Sequence, residues 1–265
     1  MIIYSSDSCD RVVEGITEAI NKHGYQILLI NTNNDTDKEV EYLDLFKRNR
    51  VDGIILLATM LTPKHQKVLK GMSIPVIILG QEFRGYNCVY HDDFGAANAL
   101  TSLMIEKGAK NIGYIGVTTE DKSAGKARQE GFLKAISDNG LSICETNMKT
   151  TNFNLQSGYQ QMKSIIKSGT GIDGIFCATD TLAIGALKYL LEVGIKVPDE
   201  IMITSIGDSK MGELVQVPLT TAHLHYKTSG HQAGEMFLNL LKYNEKATKT
   251  IKLDYELIIR KSTKV

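Results

Sequence analysis

The chain has 265 residues, of which 43% are hydrophobic and 23% charged, proportions that suit a globular protein with one large domain or two ordinary lobes. Thirty Lys and Arg residues balance thirty Asp and Glu residues, so the formal net charge is zero. This balance argues against a chain that grips nucleic acid by bulk electrostatics, because nucleic-acid-binding domains usually carry a basic face. No apolar run approaches the ~20 residues that cross a bilayer, and no secretory signal pattern is visible, so we expect a cytoplasmic protein.

Cysteine and histidine spacing gives no sign of a metal or cofactor. The four cysteines are scattered without a CxxC pair, which favours reduced thiols over a disulfide framework or a zinc site. His223 and His225 share one face of an extended segment, but no third ligand with suitable spacing is near. Glycine-rich nucleotide loops are also absent. We therefore expect neither a metal ion nor a cofactor.

In the first half of the chain, short apolar runs alternate with stripes of apolar residues at helical spacing. The predicted strands are residues 1–4, 25–31, 51–57, 74–79 and 89–90. The predicted helices are residues 12–20, 35–48, 62–71 and 95–107. Strands that alternate with helices of this length are typical of right-handed βαβ units on a parallel sheet.

The same rhythm restarts in the second half, with strands predicted at residues 110–116, 175–178 and 201–206. Helices are predicted at residues 124–139, 155–168, 182–191 and 229–241, and extended segments at residues 219–224 and 250–260. The pattern predicts an α/β fold of two doubly wound parallel-sheet lobes with a hinged cleft. We assign residues 1–108 plus 223–247 to the N-terminal lobe and residues 109–222 plus 248–265 to the C-terminal lobe.

Polar side chains follow the predicted strands, at the edge where open α/β sheets bind ligands. A ring of such groups with few aromatics suits a polyhydroxylated ligand, whose hydroxyls both donate and accept hydrogen bonds. Each residue also has a plainer explanation: Asp180 or Asp92 could cap a helix, and Arg128 could lie on a solvated helix face. The candidate ligand-binding residues are Ser6, Asp7, Asp92, Lys122, Arg128, Phe176, Thr179, Asp180 and Asp208.

Several segments, in order and spacing along nearly the whole chain, resemble the ligand-binding core of the lactose-repressor (LacI/GalR) family of transcriptional regulators. They include VDGII at residues 51–55, RQEGF at residues 128–132 and ATDTLA at residues 178–183. The resemblance implies a fold like that of periplasmic sugar-binding proteins. It also implies that Arg128 grips the ligand, that Asp92 is the acidic residue of the first lobe, and that Thr179 and Asp180 are a polar pair of the second.

Two departures from the family pattern bear on the ligand. Gly207 stands where the family places a ligand-binding aspartate, so Asp208 is the expected substitute. The aromatic pair often found near Ser8 and Cys9 is missing, which argues against a purine. The segments VYHDDFGA and TTAHLHYKTSG resemble those of the sucrose-operon repressors of Gram-positive bacteria, so the expected effector is sucrose or a related disaccharide.

The resemblance further implies an allosteric repressor that binds a sugar, forms a homodimer and reaches operator DNA through a helix-turn-helix head. The chain begins at the first core strand, so this DNA-binding head is expected to be absent from it. The candidate dimer faces are residues 64–72 and 95–107. The alternatives are a periplasmic or surface sugar-binding protein of a transporter and an α/β enzyme. We expect no enzyme, because no nucleophile–base pair is apparent.

Overall fold

The computed structural model describes residues 2–4, 9–49, 51–243 and 247–264. The chain divides into two compact units. Unit 1 contains Met1–His91 and His225–Asp254, and unit 2 contains Asp92–Leu224 and Tyr255–Val265. The chain therefore passes from one unit to the other three times, as the sequence resemblance implied.

Within the described residues, each unit alternates strands and helices as predicted. The strands are β1 (Ile2–Tyr4), β2 (Leu29–Asn31), β3 (Ile54–Leu57), β4 (Val76–Leu79), β5 (Asn87–His91), β6 (Ile112–Gly116), β7 (Met148–Thr150), β8 (Gly174–Cys177), β9 (Met202–Ile206), β10 (Thr220–Leu224), β11 (Thr250–Leu253) and β12 (Tyr255–Ile258). The α-helices are α1 (Cys9–Ile20), α2 (Thr36–Arg48), α3 (Pro63–Lys70), α4 (Asp93–Glu106), α5 (Arg128–Asp138), α6 (Leu155–Lys167), α7 (Asp180–Glu192), α8 (Lys210–Leu214) and α9 (Tyr226–Tyr243).

The two sheets share one strand order. Unit 1 has the order β11-β5-β4-β3-β1-β2, and unit 2 has the order β12-β10-β9-β8-β6-β7. Among the described strands, every pairing is parallel except that of β10 with β12. The predicted α/β class with two doubly wound parallel sheets is confirmed.

Unit 1 packs helices on both faces of its sheet. In β3, Ile55 and Leu57 point to the layer that contains α1 and α9, while Ile54 and Leu56 join the layer that contains α2 and α3. Residues of one strand alternate between the two faces, so a strand covered on both sides needs a continuous apolar run. The run IILL of β3 meets this requirement.

Two predicted lobe boundaries differ from those of the structure, one before α4 and one near the end of the chain. Residues 250–260, predicted as one strand, form β11 in the first sheet and β12 in the second, with Asp254 between them. Both parts are extended, so side-chain alternation alone does not reveal the change of sheet. Helix α4, predicted in the N-terminal lobe, packs in unit 2 against α5 and β9 and buries Leu100 and Met104 there. The apolar side chains of α4 therefore pack within unit 2.

Three elements of unit 2 differ from the sequence prediction. The short strand β7 and the short helix α8 were not predicted, because three to five residues are too few to show a periodicity. The helix predicted at residues 124–139 begins instead as a π-helix at Lys122–Ala127 and continues as α5. In the described parts of the chain, no helix is both long and apolar enough to span a membrane.

Candidate functional site

The candidate site lies at the carboxyl edge of the unit 2 sheet. Strands β6, β8 and β9 end there at Gly116, Cys177 and Ile206. The direction of the strand order reverses at β6 and β8, which are adjacent in the sheet and lead on to β7 on one side and β9 on the other. Ligands of open α/β sheets bind beside such a reversal. The side chains that follow these strands are therefore well placed to meet a ligand.

Arg128 is anchored at this edge by two groups of unit 2. Its Nε atom donates to Oδ1 of Asp93 at 2.7 Å, and its Nη2 atom lies 2.7 Å from the same oxygen. Its Nη1 atom donates to the carbonyl oxygen of Ala178, the residue after β8. Arg128 is 6% exposed and Asp93 is 4% exposed. The alternative that Arg128 lies on a solvated helix face is therefore wrong.

The π-helix at Lys122–Ala127 leads directly into α5 and makes Arg128 the first residue of that helix. A π turn holds more residues than an α turn, so it shifts the register of the side chains that follow, and such turns often occur at functional sites. Here the backbone passes close to the loop after β6. A Cβ atom on Gly125 would lie 1.9 Å from the carbonyl oxygen of Thr118. Glycine at this position therefore permits the approach that brings Arg128 to the sheet edge.

Asp121 caps the π-helix from a buried position. Its Oδ1 atom accepts hydrogen bonds from the backbone N–H groups of Ser123, at 2.9 Å, and Ala124, at 2.8 Å. The side chain is 3% exposed. Burial raises the pKa of Asp121 to about 6, although the charge of Arg128 and the two backbone N–H groups act in the opposite direction. Burial therefore disfavours the charged form of this carboxyl.

Asp180 ties helix α7 to three neighbouring segments. Its Oδ1 atom accepts hydrogen bonds from Ser205 Oγ at 2.6 Å and from Thr221 Oγ1 at 2.8 Å. Its Oδ2 atom accepts one from the backbone N–H of Ser209 at 2.6 Å. Asp180 is 4% exposed, so these donors also compensate the cost of burying its charge. The carboxylate holds β9, β10 and the turn after β9 together.

Asp208 lies in that turn and pairs with two basic side chains. Its Oδ1 atom accepts a hydrogen bond from Arg260 Nη2 at 2.7 Å, and its Oδ2 atom lies 2.8 Å from His223 Nδ1. Burial alone would raise the pKa of Asp208, but the hydrogen bonds and charges of Arg260 and His223 outweigh it and lower that pKa. Asp208 has a left-handed backbone conformation with φ 49°. The ion pairs therefore hold a strained turn in place.

The structure gives the other predicted residues different roles. Asp92 is the N-cap of α4, where its Oδ1 atom accepts a hydrogen bond from Gly95 N–H at 3.0 Å. The acid that meets Arg128 is thus its neighbour Asp93. Thr179, half-buried, caps α7 in place of the predicted Asp180. Lys122 is exposed.

Phe176 is not placed to meet a ligand. It has no exposed surface and packs in the core of unit 2 against the rings of Tyr114 and Phe132, with both ring centroids 5.8 Å away. The residue types at the end of β8 did not distinguish a core aromatic from a ligand contact. Ser6 and Asp7 lie outside the described residues.

Unit 1 also collects polar and aromatic groups at the carboxyl edge of its own sheet. The guanidinium of Arg11 lies 4.9 Å from the ring centroid of Tyr226, and the His91 ring meets the same tyrosine edge-on at 5.1 Å. Gln81, the second residue after β4, donates from Nε2 to the carbonyl oxygens of Ala58 and Thr59. These contacts fix side chains beside the ends of β3, β4 and β5.

Two residues of the unit 2 site were missed from the sequence. Asp93 follows Asp92 directly, and nothing in the residue types shows which of the two acids caps α4 and which meets Arg128. Asp121 precedes Lys122 and Ser123, so the sequence could have identified it as a helix-capping aspartate. The sequence did not show that its side chain is buried. Among the described residues, no group of three or more His, Cys, Asp or Glu side chains could hold a metal ion.

Comparison with known proteins shows to which family the chain belongs. Residues 101–263 match the family described as "Periplasmic binding protein-like domain". The chain is 28% identical over 270 residues to the HTH-type transcriptional repressor PurR of Pasteurella multocida, covering all of this chain and 80% of that protein.

Two solved structures are similar over almost the whole chain. The trehalose repressor from Escherichia coli superposes with a TM-score of 0.85 at 25% identity and covers 97% of this chain and 98% of its own. A LacI family regulator from Enterococcus faecium with bound ribose superposes with a TM-score of 0.87 at 23% identity and covers 99% and 97%. All three proteins are transcriptional regulators, which supports the expectation of a chain that is not an enzyme.

Proposed function

We propose that the effector of this chain is a sugar. The chain belongs to the periplasmic binding protein-like domain family and is the ligand-binding domain of a LacI-family transcriptional regulator. The observation that carries the proposal is the anchored Arg128, buried with Asp93 at the carboxyl edge of the unit 2 sheet. A planar guanidinium with five N–H donors and a neighbouring carboxylate can bind the paired hydroxyls of a sugar ring. The trehalose repressor and the regulator with bound ribose have the same fold.

Within unit 2, we propose that the effector contacts Arg128, Asp93 and Thr179. Asp180 and Asp208 already accept hydrogen bonds from several groups of the protein, so we propose that they shape the site by holding the turn after β9. Asp92 and Lys122 remain candidates at the rim of this edge. Ser6 and Asp7 are the candidates that the sequence places after β1. Sucrose or a related disaccharide is the proposed sugar, from the sequence segments that resemble sucrose-operon repressors.

The proposed regulation follows from differential binding. A sugar that binds one conformation better than another shifts the protein toward it, and a preference of about 10⁴-fold, or about 5.5 kcal/mol, converts a 1:99 mixture to 99:1. We propose that this shift reaches operator DNA in a cytoplasmic homodimer. Of the two predicted dimer faces, α3 has exposed Lys64 and Lys67, whereas α4 is largely covered within unit 2.

A thermal-shift screen tests the effector class. The purified chain is heated with sucrose, glucose, fructose, trehalose, cellobiose, ribose and purines, each at millimolar concentration. A ligand at 100 times its Kd adds about 2.7 kcal/mol, which raises the Tm of a chain of this size by about 5–10 °C. We expect such a rise with one sugar. A rise with a purine and with none of the sugars would overturn the sugar assignment.

Arg128→Lys then tests the site. Lysine keeps the positive charge next to Asp93 but lacks the planar fork that also binds the Ala178 carbonyl, so the Tm of the free protein should fall modestly. The sugar-dependent shift, measured from the Tm of the ligand-free variant, should largely disappear. Arg84→Lys, at an exposed position of unit 1, is the matched control and should retain the full shift. An unchanged sugar response in Arg128→Lys would remove this arginine from the proposed site.

A further inference from the structure

The carboxyl edge of the unit 2 sheet has an excess of buried negative charge. In the described part of unit 2, the buried charged side chains are Asp93, Asp121, Asp180 and Arg128, each 3–6% exposed. The described part of unit 2 thus buries three carboxylates and one guanidinium, of which Asp93 contacts Arg128 directly. The half-buried Asp208 is balanced separately by Arg260.

Arg128, the one buried cation in the described part of unit 2, is already neutralised. Arg128 directs Nε and Nη2 to a single oxygen of Asp93, and its Nη1 is bound to a backbone carbonyl. A phosphate that took Arg128 as its partner would leave the carboxylate of Asp93 buried without its counter-charge. Removing one partner of a buried ion pair is strongly unfavourable.

The nearby lysines do not correct this balance. Lys122 and Lys126 both lie on the π-helix, but both are exposed, and Lys126 pairs with Glu130 at 3.8 Å. Exposed charges act through water and are screened by salt, whereas the buried carboxylates are not. An incoming anion therefore meets the buried excess of negative charge.

A second observation at the same edge is a buried hydroxyl group that lacks a hydrogen-bond partner among the described residues. Tyr114 lies on β6 and is 1% exposed, and its hydroxyl has no hydrogen-bond partner among the described residues. The ring extends over the end of the strand, because a Cβ atom on Gly116 would lie 2.1 Å from the Tyr114 hydroxyl oxygen. The charges of Arg128 and Asp121 both act on this hydroxyl. A buried water can pair with it without adding charge.

We propose that Asp93, by neutralising Arg128 at an edge that already holds an excess of buried carboxylates, makes this site select uncharged sugars and reject their phosphate esters. The inference rests on the proposed function, since it concerns the class of sugar that the same site binds. It assigns Asp93 as the residue that determines this selectivity.

The test is a set of matched titrations by isothermal titration calorimetry of the purified chain. The pairs are trehalose with trehalose 6-phosphate, glucose with glucose 6-phosphate, and fructose with fructose 6-phosphate, together with sucrose and sucrose 6-phosphate. Like-charge contacts cost several kcal/mol, so the phosphate ester of the sugar that binds should bind on the order of 10- to 100-fold more weakly. A phosphate ester that binds as tightly as its parent sugar, or more tightly, would overturn the inference while leaving a sugar effector in place.

Asp93→Asn distinguishes charge selection from a purely structural role. The variant frees the charge of Arg128, so the ratio of the Kd for the phosphate ester to the Kd for the parent sugar should fall by about tenfold. Asp138→Asn, which removes an exposed acid from α5, is the matched control and should leave the ratio unchanged. Asp121→Asn removes a second buried charge and should lower the ratio by a smaller factor, which provides a test if Asp93→Asn does not fold.

An unchanged ratio in the folded variants would overturn the role of the buried charges. Absence of binding by every sugar and every phosphate ester would overturn the proposed function and this inference with it.

Discussion

Unit 1 and unit 2 have the same strand order, yet they bury their charged side chains in different kinds of network. In unit 1, Glu39 of α2 and His65 of α3 form a pair with Glu39 Oε2 and His65 Nε2 3.1 Å apart, and neither side chain is exposed. Thr32 donates to the other oxygen of Glu39 at 3.1 Å, and the backbone N–H of Thr62 donates to His65 Nδ1 at 3.2 Å. This network is closed, because each of its polar atoms has a partner inside it.

The network in unit 2 is open by comparison. It has three buried carboxylates for one guanidinium, and burial raises the pKa of one of them, Asp121, to about 6. The buried hydroxyl of Tyr114 has no hydrogen-bond partner among the described residues. Buried polar groups that are fully paired rigidify a protein, whereas unpaired ones cost free energy until a partner arrives. The comparison indicates that the Glu39–His65 network contributes stability, and it predicts that a ligand of unit 2 binds at the open network.

Breaking the closed network should have the largest effect on stability. His65→Leu removes the imidazole that donates to the buried Glu39 carboxylate, so we expect the free energy of unfolding to fall by about 2–4 kcal/mol. Urea denaturation measures this change. The double variant His65→Leu, Glu39→Met should recover part of the loss, because an apolar pair leaves no unpaired charge. Gln66→Leu, at the neighbouring exposed position, is the control. A loss below about 1 kcal/mol in His65→Leu would show that the network is not the main support of this region.

Asp180→Asn should weaken the protein less but disturb the site more. The amide of asparagine keeps one acceptor oxygen, but its NH₂ group must face either the Ser209 N–H or the hydroxyls of Ser205 and Thr221. We therefore expect a loss of about 1–3 kcal/mol in unfolding free energy. The turn after β9 loses its anchor, so the Kd of the effector should rise in this variant and stay near wild type in His65→Leu. Asp199→Asn, an exposed acid of the same unit, is the matched control. If both network variants change the Kd equally, the contrast between the two units is wrong.

Asp121→Asn should stabilise the protein at neutral pH. The native pKa of Asp121 is about 6 against 3.8 for an ordinary aspartate, so the native state holds its proton more tightly than the unfolded state. The stability that this group contributes is therefore fully present below pH 3.8 and is lost as the pH rises through 6. An asparagine keeps the capping oxygen without the charge, so we expect a gain of about 2 kcal/mol at pH 7. Urea denaturation at pH 7 and pH 4 measures it. The gain should shrink to about 0.5 kcal/mol at pH 4, and an equal gain at both values would assign it to a cause other than ionisation.

The sequence predicted the fold well because strand and helix order depends on local periodicity. The apolar runs at β3, β4 and β8 and the capping residue Asp35 before α2 are signals within a few residues of the elements they define. The division of residues 250–260 between two sheets is a different matter. An extended segment has the same alternation in either sheet, and only its partners, β5 and β10, decide the assignment.

The site was predicted less well, because the roles of its residues depend on contacts distant in sequence. Arg128 was identified through the family resemblance, but its acid partner is 35 positions away and stands next to a second aspartate. Phe176 and Asp180 lie four residues apart around one turn, and only the packing shows that the first is core and the second a buried anchor. Asp208 was expected to replace a ligand-binding aspartate, and the sequence did not reveal that Arg260, 52 positions away, already pairs with it.

This pairing gives the smallest expected effect and the last test of the comparison. The side chain of Asp208 is 19% exposed, so its ion pair with Arg260 and its hydrogen bond with His223 are partly screened by water. Asp208→Asn should therefore lower the free energy of unfolding by about 1 kcal/mol at pH 7. The pKa of Asp208 is lowered in the native state, so its contribution is present above the pKa of an ordinary aspartate and is lost as the pH falls through the native value. The difference between wild type and variant should therefore shrink in acid, as it does at Asp121, but with the opposite sign at pH 7, because Asp208→Asn destabilises the protein and Asp121→Asn stabilises it. Urea denaturation between pH 7 and pH 3 follows it, with the exposed Glu213→Gln as control. If Asp208→Asn instead leaves stability unchanged and weakens the sugar, Asp208 belongs with the open network that meets the ligand and not with the paired groups that hold its turn.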